Sequence, residues 1–296
     1  MNNLENLFLP PQNFAGLASP YSDFKTARVV ILPVPYDGTT EWHSGTREGP
    51  QAIIEASPYL ELYDMELKQE TYKVGIHTLP AVQPVLSRPQ DMVHSVYAIA
   101  GELIKQGKFV VMLGGEHSLS LGLVKALKET YQDLSVLQLD AHADLRDEYL
   151  GTKYNNACVM RRVLEHCPIT QIGIRSLSLE EQQFLNQKNM SPFYSSTIAS
   201  DLAMVSQIME SLSSNVYISI DLDVFDPSIM SAIGTPEPGG MQWSEVLNII
   251  KAVAKQKHIV GFDLMELCPA EGPSACAFLA AKLAYKLIGY ALLLKH

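Results

Sequence analysis

Short apolar runs alternate with amphipathic stretches along the chain, and this alternation predicts the secondary structure. The apolar runs predict strands at residues 28–34, 108–113, 135–140, 169–174, 216–221 and 259–264. The amphipathic stretches predict helices at 50–56, 90–106, 117–129, 157–166, 179–187, 202–212, 244–254 and 274–294. In the second of these helices, apolar side chains recur at helical spacing between Met92 and Leu103. Residues 72–89 are predicted to be irregular.

The order of these elements predicts the fold class. Strands that alternate with helices indicate an α/β protein of three layers (α/β/α), with a mostly parallel central sheet. Residues 1–26 are polar and contain Pro10-Pro11, so they are predicted to be an N-terminal arm. Length alone suggests roughly two domains. The candidate site residues come from strands far apart in sequence, however, and they predict one domain over residues 27–296.

Three of the predicted strands carry acidic or imidazole side chains at or just beyond their carboxyl ends. These side chains belong to His117, Asp140, His142, Asp144, Asp221 and Asp223. One such motif alone could be a solvated turn or a helix N-cap. In α/β sheets, however, sites form where the carboxyl ends of the strands meet, and a buried charge cluster is costly unless it binds a cation. The recurrence on three strands therefore predicts a metal site.

The chemistry of the donors narrows the metal and the reaction. Carboxylates and imidazoles without a thiolate suit manganese best, with iron, cobalt, nickel or zinc as alternatives. A set of this size with shared carboxylates indicates two ions, which can activate a water molecule at neutral pH. The implied reaction class is metal-assisted hydrolysis.

Composition limits the partners and the compartment. The formal net charge of -10 disfavours nucleic acid and anionic membranes and favours a small cationic substrate. The four cysteines form no Cys-x-x-Cys motif and are predicted to be reduced thiols of a cytoplasmic protein. Lys282 and Lys286 interrupt the most apolar helix, and no basic residue precedes an apolar run at the N-terminus, so neither a membrane span nor a signal peptide is predicted.

The motifs together resemble one family, the ureohydrolases, which include the arginases and agmatinases. The segments that carry the resemblance are Gly-Gly-Glu-His-Ser at 114–118, Asp-Ala-His-Ala-Asp at 140–144 and Ser-Ile-Asp-Leu-Asp-Val-Phe-Asp-Pro at 219–227. Further matching segments lie at 45–50, 234–240 and 263–266, and the resemblance covers about 29–293. It implies an arginase-like fold, two manganese ions, hydrolysis of a guanidino group to urea and an amine, and a homo-oligomer, either a trimer or a hexamer.

The resemblance also implies roles for individual residues. One manganese would bind His117, Asp140, Asp144 and Asp221, and the other would bind Asp140, His142, Asp221 and Asp223. Glu266 would orient the guanidinium, and Asp144 would steer the attacking water and pass its proton to the leaving amine. The alternative for Glu266 is an ordinary surface acid.

The loop at 145–154 indicates the branch of the family. It lacks the polar pattern with which arginases grip the substrate α-carboxylate, and it resembles bacterial and archaeal agmatinases. Asp147 and Glu148 suit a cationic tail, although Arg146 and Lys153 offset them. Agmatine hydrolysis to putrescine and urea is the leading prediction, with guanidinobutyrate, arginine and guanidine as alternatives. A related single-metal enzyme acting on acetylated amines, or another dimetal hydrolase, is a further alternative.

One position departs from the family. Relatives carry Ser-His-Ala-Cys where this chain has Asn155-Asn156-Ala157-Cys158, so the proton-shuttle histidine is replaced by Asn156. An asparagine cannot titrate. Another group could relay protons, and His43 is the candidate. The alternative is that His43 is a plain loop histidine. Alternatively, Asn156 binds a different substrate, or the protein is a weakly active or non-catalytic homologue.

Overall fold

A parallel sheet runs through the middle of the molecule. The computed structural model describes residues 9–194 and 202–294. Within them the strands are β1 (Val29–Val34), β2 (Tyr63–Asp64), β3 (Gln69–Glu70), β4 (Ile76–Thr78), β5 (Phe109–Gly114), β6 (Leu134–Leu139), β7 (Ile169–Ile174), β8 (Phe193–Tyr194), β9 (Asn215–Asp221) and β10 (His258–Met265). Eight of these described strands form one sheet in the order β4-β1-β5-β10-β9-β6-β7-β8, with parallel pairing throughout. The predicted α/β class with a mostly parallel sheet is confirmed.

Helices cover both faces of this sheet. They are α1 (Gly49–Ala56), α2 (Pro89–Lys105), α3 (Ser120–Thr130), α4 (Val159–Val163), α5 (Leu179–Lys188), α6 (Leu202–Ser211), α7 (Trp243–Gln256) and α8 (Ala275–Leu293). One apolar core contains buried residues of α1, α6, α7 and α8, and the other contains buried residues of α2, α3, α4 and α5. The three-layer arrangement follows from this division.

Alternation along β5 shows how one strand serves both cores. Val111 and Leu113 belong to the first core, whereas Val110 and Met112 belong to the second. Successive side chains of a strand point to opposite faces, so a strand buried on both sides reads as a continuous apolar run. The candidate site residues lie at or beyond the strand ends, whereas polar residues inside the strands, such as Gln138, Ser219 and Asp263, are buried and hydrogen-bonded.

Element boundaries mostly follow the sequence predictions, with identifiable exceptions. The chain at His117 forms a single 3-10 turn before α3, and α4 ends at Val163 instead of continuing to 166. Pro50 and Pro89 lie in the first turns of α1 and α2, where a missing N–H costs nothing. The prediction that 72–89 is irregular is wrong over β4, a short strand that pairs with β1 at the edge of the sheet. A strand this short leaves no periodicity to detect.

The N-terminal segment packs against the sheet and its helices. Phe14 is fully buried, and its backbone N–H donates to Thr78 Oγ1 at 2.9 Å. The backbone N–H of Ala15 donates to Ser57 Oγ at 2.8 Å. Residues 1–8 lie outside the described part of the chain, so the division into an arm over 1–26 and a domain over 27–296 stays a prediction.

Helix α8 is long and apolar enough to cross a membrane by length and composition, but 67% of its most apolar window is buried inside the protein. Lys286 on this helix is 7% exposed, and its Nζ lies 3.0 Å from Asp64 Oδ2 and 2.6 Å from Glu66 Oε2. These carboxylates belong to β2 and the turn that follows it. Helix α8 is thus packed as a core helix that also anchors the small β2–β3 hairpin.

Candidate metal centre

Four adjacent strands deliver the candidate side chains to one edge of the sheet. Strands β5, β10, β9 and β6 are neighbours in that order. His117 follows β5, Glu266 follows β10, Asp221 ends β9 and Asp140 follows β6. Because the strands are parallel, their carboxyl ends lie side by side. The structure therefore brings together residues that are up to about half the chain apart in sequence.

The imidazole of His117 lies at the centre of a carboxylate cluster. Its Nδ1 lies 3.0 Å from Asp140 Oδ2, 3.2 Å from Asp144 Oδ2 and 3.4 Å from Asp221 Oδ2. This nitrogen is buried and makes no hydrogen bond of acceptable geometry with any described residue. A buried lone pair aimed at three carboxylates is an arrangement that a cation would satisfy.

A second donor group adjoins the first. His142 Nδ1 lies 2.7 Å from Asp223 Oδ2 and 3.7 Å from Asp140 Oδ1. Two groups of ligand atoms, each within 4.8 Å of one another, consist of His117 with Asp140 and Asp221, and of Asp140 with His142 and Asp223. Asp140 offers one carboxylate to both groups. The residues present therefore fit two divalent ions that share a bridging carboxylate.

The electrostatics of the cluster favour the same conclusion. Burial and the neighbouring Asp223 carboxylate raise the pKa of Asp140 and of Asp221 well above the usual range for aspartic acid. Although burial opposes ionisation, the imidazole of His142 beside it lowers the pKa of Asp223 to about 2. Four carboxylates face two imidazoles here, and bound cations would offset the excess negative charge.

A buried hydrogen-bond chain orients His117. Its Nε2 lies 2.8 Å from Ser219 Oγ, and this hydroxyl donates to Asp263 Oδ1 at 2.9 Å. Tyr217 donates its hydroxyl to the other oxygen of Asp263. With the Ser219 proton directed to Asp263, Nε2–H of His117 is assigned as the donor to Ser219, which leaves Nδ1 with a lone pair for a metal.

Two of the predicted catalytic residues have left-handed backbone conformations. The φ angles are 54° at Asp144 and 66° at Glu266. Such conformations cost on the order of 1–3 kcal/mol each and need support from their surroundings. The Asp144 carbonyl accepts a hydrogen bond from Met160 N at 3.0 Å, and Glu266 N donates to Gly115 O at 2.8 Å. A Cβ atom on Gly115 would lie 2.0 Å from Tyr36 O, so this close approach requires glycine.

Glu266 contacts the metal-ligand cluster and also faces a cavity. Its Oε1 accepts a hydrogen bond from the backbone N–H of His117 at 2.7 Å. Glu266 also lines a cavity of about 280 Å³ together with Asp144, Asp221 and Asp223. The cavity therefore has candidate metal ligands and a further carboxylate in its wall.

The structure places Asn156 and His43 in the wall of the same cavity. Asn156 N donates to Thr39 Oγ1 at 3.1 Å. The Nδ1 of His43 lies 2.8 Å from Glu271 Oε1, and the imidazole stacks on the Trp42 ring at a centroid distance of 4.9 Å. Both residues can therefore reach a molecule bound in the cavity.

Asp147 and Glu148, which were predicted to suit a cationic substrate tail, do not line the cavity. Asp147 pairs with Arg162 at 2.7 Å and with Lys153 at 3.4 Å. Neither Asp147 nor Glu148 lines the cavity, whereas Glu41 does. Sequence reasoning overlooked Glu41, because a single acid in a loop carries no pattern.

Sequence reasoning also passed over Glu116, which stands beside His117 in the Gly-Gly-Glu-His motif. This side chain is fully buried and accepts hydrogen bonds from Thr39 N at 2.5 Å and Thr39 Oγ1 at 2.6 Å. Burial raises its pKa to about 7. Thr39 in turn accepts the backbone N–H of Asn156, so Glu116 holds two loops of the cavity wall together. The signal available in the sequence was an acid between two glycines and a metal-ligand histidine.

Comparison with known proteins points to the same family that the sequence motifs resemble. Residues 27–289 match the sequence model of the Arginase family. The chain is 39% identical over 277 residues to the N(1)-aminopropylagmatine ureohydrolase of Synechocystis sp., covering 91% of this chain and 90% of that protein. It is 34% identical to the agmatinase of Pyrococcus horikoshii, covering 91% and 94%. The crystal structure of the agmatine ureohydrolase of Thermoplasma volcanium superposes with a TM-score of 0.87 at 31% identity, covering 98% and 97%.

Removal of the Ser219 hydroxyl is expected to weaken metal binding. Ser219→Ala deletes the partner that orients His117, and loss of such a partner typically lowers metal affinity about 10–100-fold. Titration of the metal-free protein with Mn²⁺, followed by the electron paramagnetic resonance signal of the free ion, measures this change. Ser228→Ala, an exposed serine beyond the same strand, is the matched control. Unchanged Mn²⁺ affinity in Ser219→Ala would contradict the assigned orientation of His117.

Proposed function

Because the chain belongs to the arginase family and is an agmatinase-like ureohydrolase, we propose that it hydrolyses the guanidino group of agmatine to give urea and putrescine. The single observation that carries the proposal is the place of Glu266 beside the two donor groups, in the wall of the same cavity. A guanidinium is a permanent planar cation with forked donors, and a carboxylate is its natural partner.

The two donor groups would hold the metal ions, for which we propose manganese. His117, Asp140, Asp144 and Asp221 would bind one ion, and Asp140, His142, Asp221 and Asp223 would bind the other. The chemistry that such a pair supplies is a lowered pKa for water, and hence a nucleophile near neutral pH. The lack of thiolate among the donors supports manganese over softer metals.

Glu266 and Asp144 would orient the reactants. One oxygen of Glu266 is engaged by the backbone N–H of His117. Its other oxygen accepts no hydrogen bond from the described residues and would receive the guanidinium N–H groups. Asp144 lines the cavity and lies beside His117 Nδ1. Its carboxylate would accept the proton of the attacking water and return it to the leaving nitrogen, so that the amine departs uncharged or protonated, never as an anion.

A second candidate substrate is N(1)-aminopropylagmatine, which carries the same guanidinobutyl group with an aminopropyl extension. Two relatives of that name, from Synechocystis sp. and Thermus thermophilus, are 39% and 38% identical to this chain. Hydrolysis would give urea and the corresponding triamine. Both candidates are cationic at the end remote from the guanidino group, in keeping with the acidic cavity. We further propose a homo-oligomer, as the resemblance to the family implies, and a cytoplasmic location, as the reduced cysteines indicate.

Urea release from a substrate panel tests the proposal. The manganese-loaded protein is expected to release urea from agmatine and from N(1)-aminopropylagmatine with a higher kcat/KM than from arginine, guanidinobutyrate or guanidine. The larger of the first two values identifies the preferred substrate. A protein with both ions bound that releases urea from none of the five would contradict the function and favour a non-catalytic homologue.

The family shuttle position holds Asn156, and we propose that His43 and Glu271 supply the missing relay. With Nδ1–H donated to Glu271 Oε1, the Nε2 of His43 is a proton acceptor, and no described residue occupies it. The imidazole is partly exposed and lines the cavity. His43 would thus accept and release protons at Nε2, while Glu271 fixes the tautomer.

Replacement of His43 tests this relay. His43→Asn is expected to lower kcat for agmatine by about 100-fold, the lower end for general acid–base groups. The added Asn156→His substitution should restore part of the loss, because it returns an imidazole to the family position. His94→Asn, at an exposed site on α2, is the control. A kcat for His43→Asn within twofold of that of the unaltered enzyme would contradict the relay and show that His43 is a plain loop histidine.

A further inference from the structure

We propose that Glu41, together with the hydroxyl of Tyr149, binds the cationic nitrogen at the far end of the substrate. This inference rests on the proposed function and assigns the residues that select its substrate class. That class is an alkylguanidine with a positively charged nitrogen at the opposite end of the chain.

Elimination among the acids that line the cavity points to Glu41. These acids are Glu41, Asp144, Glu181, Asp221, Asp223 and Glu266. The three aspartates belong to the metal-ligand cluster, and Glu266 faces the guanidino position. Glu181 is 4% exposed, and its carboxylate accepts from Leu145 N at 2.8 Å and from Ser178 N at 2.7 Å as part of the cap of α5. Among these six acids, Glu41 alone belongs neither to the metal-ligand cluster, nor to the guanidino position, nor to a helix cap.

Glu41 is held in place in the cavity wall by a residue of a second loop. The Tyr149 hydroxyl donates to Glu41 Oε2 at 3.1 Å and so connects the loop after β1 with the loop after β6. Tyr149 itself is fixed by paired backbone hydrogen bonds with Thr152, each of 3.0 Å. The guanidinium of Arg146 lies 4.5 Å from the centroid of the Tyr149 ring. The position of the carboxylate is therefore set by two loops before a substrate binds.

No cationic side chain in the described part of the chain forms an ion pair with Glu41, and its Oε1 accepts no hydrogen bond there. An ammonium carries several donors and no acceptor. It can bind Oε1 of Glu41 and the oxygen of the Tyr149 hydroxyl together. A substrate would then be held by a carboxylate at each end, with Glu266 at the guanidinium and Glu41 at the ammonium.

This arrangement explains what the cavity would select. A tail that ends in a carboxylate, as in guanidinobutyrate, would place like charges together at Glu41. In agmatine the far nitrogen is a primary ammonium, and in N(1)-aminopropylagmatine the nitrogen at the same distance is a secondary ammonium. Glu41 would bind either one. Glu41 therefore favours substrates with a charged nitrogen at that distance. It does not discriminate between these two compounds.

The test compares ligands that differ only in the far nitrogen. For turnover, the pair is agmatine and butylguanidine. For binding without turnover, the pair is 1,4-diaminobutane and butylamine, measured by calorimetry on the manganese-loaded protein. In Glu41→Gln, the preference for the ligand with the far nitrogen is expected to fall about tenfold or more in both pairs, as when a hydrogen bond to a charged group is lost. The loss should appear mainly in KM, because this contact is made equally in the ground and transition states.

Two further variants sharpen the result. Tyr149→Phe should lower the same preference by less than Glu41→Gln, since the charge remains. Glu148→Gln removes an exposed acid adjacent to Tyr149 and should leave the preference unchanged. An unaltered preference in Glu41→Gln would overturn the proposal. So would a higher kcat/KM for guanidinobutyrate than for agmatine that is lost in Arg146→Gln, because this part of the cavity wall would then recognise a carboxylate.

The two readouts separate this proposal from the function on which it rests. If no urea is released but Glu41→Gln still lowers the preference for 1,4-diaminobutane, the subsite is supported and the hydrolytic function is not. If urea is released and neither preference changes, the function is supported and the subsite is overturned.

Discussion

The structure depends on the convergence of buried carboxylates and imidazoles at one edge of the parallel sheet. Asp140, Asp221 and Asp223 are at most 4% exposed, and His117 is 1% exposed. Ionised groups so close together would repel one another in a medium of low polarity. A pair of divalent ions removes that repulsion and uses the lone pair of His117 Nδ1 that no described residue satisfies. The same ions would provide the chemistry, so the stability and the function of this edge have one physical origin.

The remaining architecture serves to hold that cluster. The ends of β5, β10, β9 and β6 supply the side chains, and the apolar cores on both faces fix the strands. Ser219 and Asp263 orient His117 from within the sheet. The backbone is left-handed at Asp144, five residues beyond β6, and at Glu266, directly after β10. Loops then cover the edge and contribute the cavity wall, which includes Asn156, His43 and Glu41.

The sequence allowed the fold and the position of the cluster to be predicted because both depend on local patterns. Apolar runs identified the central strands, and the polar residues at their ends followed from the alternation of side chains. The short strand β4 and the hairpin of β2 and β3 have no such periodicity. Glu41 was overlooked for a related reason: its role depends on Tyr149, which is far away in sequence and is brought close by loop packing. The prediction that Asp147 suits the substrate tail was wrong because Asp147 pairs with Arg162 on α4. The sequence alone does not show this ion pair, which forms only in the folded chain.

The most direct test of the account is the number and coupling of the metal ions. Manganese-loaded protein should contain two ions per chain by elemental analysis, and electron paramagnetic resonance should show a spin-coupled pair, because Asp140 offers a carboxylate to both donor groups. A single ion per chain, or two ions without magnetic coupling, would contradict the shared cluster on which the proposed function depends.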